Sequence, residues 1–136
     1  METYRLRHDK VPLILLDSSG LIHALSRRID IISWFDILFA SPYKIGITKA
    51  VLEELKKLSA TGTGKTRLLA ALSLKLCEKC TIIDTQTLIA DDSLLEASLK
   101  HDGIVFTCDS GLRRRLSEQG VPAIIITNDN RLIFSP

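Results

Sequence analysis

Apolar residues along the chain fall into two alternating arrangements, short unbroken runs and longer stripes at helical spacing. Leu13–Leu16 is a continuous apolar run that stops at Asp17, the pattern of a strand buried on both faces. Helical spacing follows over 18–28 and again over 30–40, where Ile31, Ile32, Phe35, Leu38 and Phe39 mark one face before Pro42 ends the element. KIGIT, at 44–48, predicts a second strand, and Thr48 can cap a helix from Lys49 whose stripe is Val51, Leu52, Leu55 and Leu58. A helix over 66–78 and the strand TIID come next. ADDSLLEASLKHDG opens on acids and closes at Gly103, the expected polarity of a helix. GIVFTCD reads as a fourth strand, SGLRRRLSEQG as a helix with a terminal glycine, VPAIIIT as a fifth strand and RLIF as a short edge strand. Strands alternating with helices predict an α/β fold, a three-layer α/β/α sandwich around a mostly parallel central sheet of about five strands.

Composition narrows this picture without redirecting it. A chain of 136 residues is expected to form one domain over 1–136, able to bury roughly two-thirds of its unfolded surface. Hydrophobic residues at 46% and charged ones at 25% exclude the disordered class. A net charge of +2 does not by itself argue for a polyanionic partner. VPLILL is too short for a membrane span or a secretory core, so no membrane partner is expected and the cytoplasm is the expected compartment. Three cysteines make no disulfide framework; Cys77 and Cys80 form a CxxC pair but lack the further ligands of a closed zinc site, and read as structural.

One stretch imitates a phosphate loop. ATGTGKTR, at 60–67, contains Gly64-Lys65-Thr66, yet Ser59 stands where the loop requires its first glycine, and a helical pattern precedes it instead of a strand. It reads as a helix-to-helix connection, and no nucleotide cofactor is expected.

The acids carry more. In a parallel sheet all strands end at one rim, and groups just beyond those ends share a crevice. Asp17 ends the first strand and Asp109 the fourth, Glu54 lies about a turn and a half into the helix after the second strand, and Asp91 and Asp92 open the helix before the fourth. These carboxylates meet if the first and fourth strands are neighbours. DSSGL, TKAVLEEL, ADDSLLEASLKHDG and IVFTCDSGLRRRL, in that order, resemble the acidic motifs of the PIN domain, a nuclease family. The likeness runs from the first strand to IIITND and is nearest to compact archaeal members related to ribosomal RNA processing nucleases, more distantly to VapC-type toxins. It implies Asp17, Glu54, Asp92 and Asp109 as the acidic set. Asp91 is the alternative to Asp92, which an aliphatic residue three places on, Leu95, favours. It further implies that Ser18, Ser19 and Thr107 orient those acids or metal-bound water. Asp129, in ITND, imitates the last motif but lies one strand too late.

Clustered carboxylates repel each other unless a cation sits among them, and Mg²⁺ or Mn²⁺ suits oxygen ligands. Such an ion polarises the phosphate and acidifies water, so no nucleophilic side chain is needed. His8, His23 and His101 are scattered away from the motifs, and no Gly-x-Ser-x-Gly turn is present. The expected function is therefore divalent-metal endoribonuclease, with RNA as partner and ribosomal RNA processing as a candidate role. Arg113, Arg114 and Arg115, with Lys57, Lys65 and Arg67, are the candidate backbone-binding residues, although each also reads as part of a solvated helix face. Alternatives are a catalytically silent PIN-type module binding RNA or protein, and a phosphoacceptor receiver with Asp84 as its aspartate, which the absence of a lysine after the fifth strand disfavours. Pairing into a homodimer is open; the Trp34–Phe39 helix offers a contact, but a core face is the better use of it.

Overall fold

The structure, a computed structural model, describes residues 11–135. Six strands and six helices alternate along it. They are β1 (Leu13–Leu16), α1 (Ser18–Ser26), α2 (Ile31–Leu38), β2 (Lys44–Thr48), α3 (Lys49–Thr61), α4 (Gly64–Leu76), β3 (Thr81–Ile83), α5 (Ala90–His101), β4 (Ile104–Phe106), α6 (Ser110–Glu118), β5 (Ala123–Ile126) and β6 (Leu132–Ser135). The sheet runs in the order β3-β2-β1-β4-β5-β6, parallel throughout except for β6, which returns antiparallel along β5. The expected architecture is present, with the RLIF segment completing a sixth strand at one edge.

β1 is central, and its neighbours are β2 and β4, paired through Leu15 with Gly46 and with Val105. Ile14, Leu15, Leu16, Ile104, Val105 and Phe106 are all fully buried, so these two strands are covered on both faces, as their unbroken apolar runs predict. α4 packs on α3 and α1, while α5 packs on α6 and on β1, β2 and β4. Phe35 of α2 meets Phe106 edge to face at 5.7 Å, and Ile31, Leu38 and Phe39 are likewise buried in the core, while Ile32 is exposed.

Local chemistry explains most boundaries. Thr48 caps α3 by accepting from the Val51 N–H at 3.2 Å, and Asp30 caps α2 through Ser33. α6 ends into Gly120, whose φ of +71° is the left-handed turn the sequence predicts there. At the end of α5 the left-handed residue is Asp102, with φ of +53°, rather than Gly103. Gly103 answers a different demand: a Cβ there would lie 3.2 Å from Leu15 Cδ1 and 3.4 Å from the Leu13 carbonyl, so it lets the chain enter β4 close against β1. The 60–67 stretch joins α3 to α4 helix to helix, and Cys77–Lys79 forms a 3₁₀ turn leading to β3.

Candidate active site

Because β1 and β4 are neighbours, Asp17 and Thr107 leave the sheet side by side. The Asp17 N–H bonds the Phe106 carbonyl at 3.0 Å, so the chain continues the ladder one residue past β1 before turning into α1. Asp17 occupies the N-cap position of α1, yet its carboxylate makes no capping bond. It is instead held sideways: Oδ2 accepts from Ser19 Oγ and from Thr107 Oγ1, both at 2.7 Å. Each hydroxyl has one proton, and both are directed at Asp17. The 3.2 Å separation of Ser19 Oγ and Thr107 Oγ1 is then a contact of two oxygens that share an acceptor. Their lone pairs are used as well. Ser19 Oγ accepts from the Cys108 N–H, and Thr107 Oγ1 from the Asp109 N–H, each at 3.0 Å.

Glu54 joins this web through Ser18, whose Oγ donates to Oε1 at 2.6 Å across 36 residues of sequence. A surface pairing of Glu54 with Lys57, the ordinary use of such an acid on a helix, is not made. Asp109 caps α6, with Oδ1 accepting from the Leu112 N–H at 2.9 Å. Gly20 permits the close approach of α1 to β4, since a Cβ there would stand 3.0 Å from the Phe106 ring and from its carbonyl oxygen.

The adjacent acids of α5 part company. Asp92, the expected member of the set, turns to α6 and pairs with Arg115 Nη2 at 2.6 Å. Asp91 feels the web's charges: burial raises its carboxyl above the ordinary range, and Asp17, Asp109 and Glu54 raise it further, against an opposing pull from Arg115. Adjacent positions on a helix diverge by about 100°, so only one of the two can serve the crevice. Ser93 anchors this end of α5 to β2, its hydroxyl 2.7 Å from that of Thr48.

The arrangement leaves a consistent pattern of open oxygens. Among the described residues no hydrogen bond reaches Asp17 Oδ1, Glu54 Oε2 or Asp109 Oδ2, although the other oxygen of each carboxylate is tied down. Asp91 accepts none at either oxygen. These are oxygen donors only, which suits a hard divalent cation. No group of three or more His, Cys, Asp or Glu side chains among the described residues is already drawn into an ion-holding cage. Mutual repulsion keeps uncompensated acids apart, and Mg²⁺ retains much of its water, so one or two direct carboxylates suffice.

The remaining sequence candidates lie outside this web. His8 is outside the described residues. His23 sits in the last turn of α1, its imidazole pushed down by burial and by Arg27, and His101 is exposed at the end of α5. Asp129 is an exposed turn residue bonded to Thr127 and Arg131. Asp84 pairs with Lys49 at 2.7 Å on the surface. Of the basic residues, Arg115 reaches the site's flank through Asp92, whereas Arg113 turns to Ser135 at 2.9 Å. Arg114 shares a shallow hollow with Ser110, Ser117 and Glu118. Lys57 and Lys65 are exposed, and Arg67 Nε donates to the Ser59 carbonyl at 3.3 Å, tying the two helices of the α3–α4 hairpin.

A family model described as a PIN like domain matches residues 14–129, from β1 to the turn before β6. The chain belongs to the PIN-like domain family. Its similarity to Ribonuclease VapC9 of Archaeoglobus fulgidus is 30% identity over 132 residues, 97% of this chain and 96% of that protein. The solved structure of the PIN domain endonuclease Utp24 superposes with a TM-score of 0.70, covering 88% of this chain and 90% of its own, at 20% identity. That last likeness is one of fold. The PIN assignment thus agrees with the order of acidic motifs along the sequence, and the first and last of those motifs are joined where β1 and β4 end, by the Thr107–Asp17 bond.

Proposed function

We propose that this protein is an endoribonuclease, a single PIN domain that hydrolyses RNA phosphodiesters with Mg²⁺ or Mn²⁺ held by Asp17, Glu54, Asp91 and Asp109. The observation that carries the reading is the set of open carboxylate oxygens of Asp17, Glu54 and Asp109, each on a side chain whose other oxygen is fixed by a neighbouring hydroxyl or N–H. Surface charges or helix caps would not be oriented as Glu54 is by Ser18, 36 residues away, and Asp17 by Thr107, 90 residues away. Similarity to Ribonuclease VapC9 supports RNA as the substrate.

When bound, a divalent cation supplies charge neutralisation at the phosphate, a more acidic water and stabilisation of the leaving oxygen. The protein's own part is orientation. Ser19 and Thr107 fix the Asp17 carboxylate so that Oδ1 is presented to the crevice, and Ser18 does the same for Glu54 Oε2. The N-terminus of α6 holds Asp109 by one oxygen. Arg115, by engaging Asp92, leaves Asp91 as the α5 carboxylate directed at the site. Arg114, Lys57 and Lys65 are exposed cations suited to the phosphates flanking the scissile one, and they make affinity salt-dependent. A cytoplasmic role in processing ribosomal precursor RNA is the finer form of this proposal.

Purified protein incubated with RNA and Mn²⁺ is expected to cut it, and chelation to stop the cutting. Asp17→Asn, which keeps the shape and removes the charge, is expected to abolish turnover while circular dichroism stays native. Undiminished cleavage by that variant, prepared free of contaminating nuclease, rules the proposal out.

A further inference from the structure

Away from the acids, at the far end of α4, the two cysteines of the CxxC stretch are brought face to face. The 3₁₀ turn Cys77–Lys79 folds the chain back so that the Cys80 N–H donates to the Cys77 carbonyl at 3.0 Å. Cys80 thus caps the turn that Cys77 begins three residues earlier, a spacing at which 3₁₀ geometry places side chains on one side. Cys77 is 5% exposed and faces the core, while Cys80 is half-buried at the entry to the edge strand β3. A metal reading fails here, because the pair belongs to no group of three or more ligating side chains among the described residues. Both side chains pack as small apolar groups, Cys77 in the core and Cys80 against it, and Cys80 keeps part of its surface open to solvent.

We propose that Cys77 and Cys80 form a reversible dithiol–disulfide site that exchanges with low-molecular-weight disulfides. The Cys80 thiolate, the accessible member, attacks one sulfur of the incoming disulfide RSSR, forming a mixed disulfide and releasing one RS⁻, which takes up a proton. The Cys77 thiolate then attacks Sγ of Cys80, closing the Cys77–Cys80 bond and releasing the second RS⁻, which is likewise protonated. In sum the protein dithiol gives up two electrons and two protons, and RSSR becomes two RSH. The neighbouring Cys80 thiol and then burial hold the Cys77 thiol well above its ordinary range, whereas the nearness of Cys77 holds Cys80 lower against the opposing effect of burial. Cys80 is therefore the attacking thiol and Cys77 the resolving one. The loop closed is only four residues long, and a cross-link that short constrains the unfolded chain weakly. Such a bond is better suited to opening and closing than to stapling the fold.

The test is equilibration of the native, full-length protein in buffers of oxidised and reduced glutathione, followed by acid trapping, intact mass and peptide mapping. The expected result is loss of two of the three free thiols, a cross-linked 77–80 peptide and full return of both thiols when reduced glutathione is in excess. Cys80→Ser is expected to abolish the cross-link, and Cys77→Ala to trap glutathione on Cys80. Two results overturn the proposal: thiols that stay reduced in the native protein under oxidised glutathione, or glutathione that accumulates on wild-type Cys80 without being resolved. Because the readout is thiol chemistry, it is independent of whether the acidic crevice cuts RNA.

Discussion

Gly20 offers a way to disturb the acidic crevice without altering any polar atom in it. A helix interior normally gains about 0.5–1 kcal/mol when alanine replaces glycine. Gly20 lies in the first turn of α1, so propensity alone predicts stabilisation. Against this, the added Cβ would lie 3.0 Å from Cδ2, Cε2 and the carbonyl oxygen of Phe106. The ring has no room to retreat, since Phe106 is fully buried and packs edge to face on Phe35. The carbonyl cannot retreat either without losing its bond from the Asp17 N–H. Overpacking of this kind costs about 1–3 kcal/mol, which set against the propensity gain leaves a net loss of up to about 2.5 kcal/mol. For a chain of this size that corresponds to a fall in Tm of up to roughly 10 °C. The relief available to the molecule is to move the start of α1 away from β4, which pulls Ser19 and Asp17 off Thr107. Gly20→Ala is therefore expected to lower the melting temperature by circular dichroism and also to reduce RNA cleavage. A variant that melts higher than wild type and cuts at full rate refutes the close-approach argument. Gly111 makes a control, since its Cβ would meet only Asp109 Oδ1, at 3.2 Å; Gly111→Ala is expected to reduce cleavage with little change in Tm.

Other expectations separate the roles of neighbouring residues. Thr107→Val deprives Asp17 of a donor and the Asp109 N–H of its acceptor, and turnover is expected to fall about 10–100-fold, as for other residues that orient metal ligands; Thr107→Ser should restore most of it, and steady-state kinetics on a short RNA decides. Asp91→Asn is expected to abolish cleavage, whereas Asp92→Asn should leave it within a few-fold and lower stability by less than about 1 kcal/mol, because its pair with Arg115 is substantially exposed. Asp91 also sets a pH dependence. Its carboxyl is raised in the folded protein, so the folded state holds that proton to higher pH than the unfolded chain does. In chelator, the contribution of Asp91 to stability is therefore fully present below the ordinary carboxylate range and is lost as pH climbs through the raised value. Thermal melts of Asp91→Asn in EDTA should show a higher Tm near neutrality and a flatter pH profile, and an unchanged profile counts against the placement of Asp91 among the other acids.

The alternation of runs and stripes was sufficient to foresee the sheet, because strands buried on both faces carry unbroken apolar runs and the helices between them carry clear stripes. The convergence of Asp17 and Asp109 was legible for the same reason, conditional on a neighbour relation between β1 and β4 that the structure supplies. Two finer matters were not. Which of Asp91 and Asp92 faces the crevice depends on the rotation of α5, and that is fixed by Ser93 against Thr48 and by Arg115 on α6. Apolar spacing, centred on Leu95, does not register those polar anchors. Nor does the sequence reveal that Ser18 takes up Glu54, because a bond across 36 residues has no local signature, whereas the rival pairing with Lys57 does. Asp102 in place of Gly103 at the end of α5 is a third case, where the glycine served interstrand clearance and the turn was left to an aspartate.

The hydrogen bond from Thr107 to Asp17 joins positions 90 residues apart, and that separation has a bearing on biosynthesis. An emerging polypeptide has Ser19 beside Asp17 from the start, but the second donor, Thr107, comes only when β4 has left the ribosome and slotted in beside β1. The full bracing of the Asp17 carboxylate therefore arrives with the last quarter of the chain.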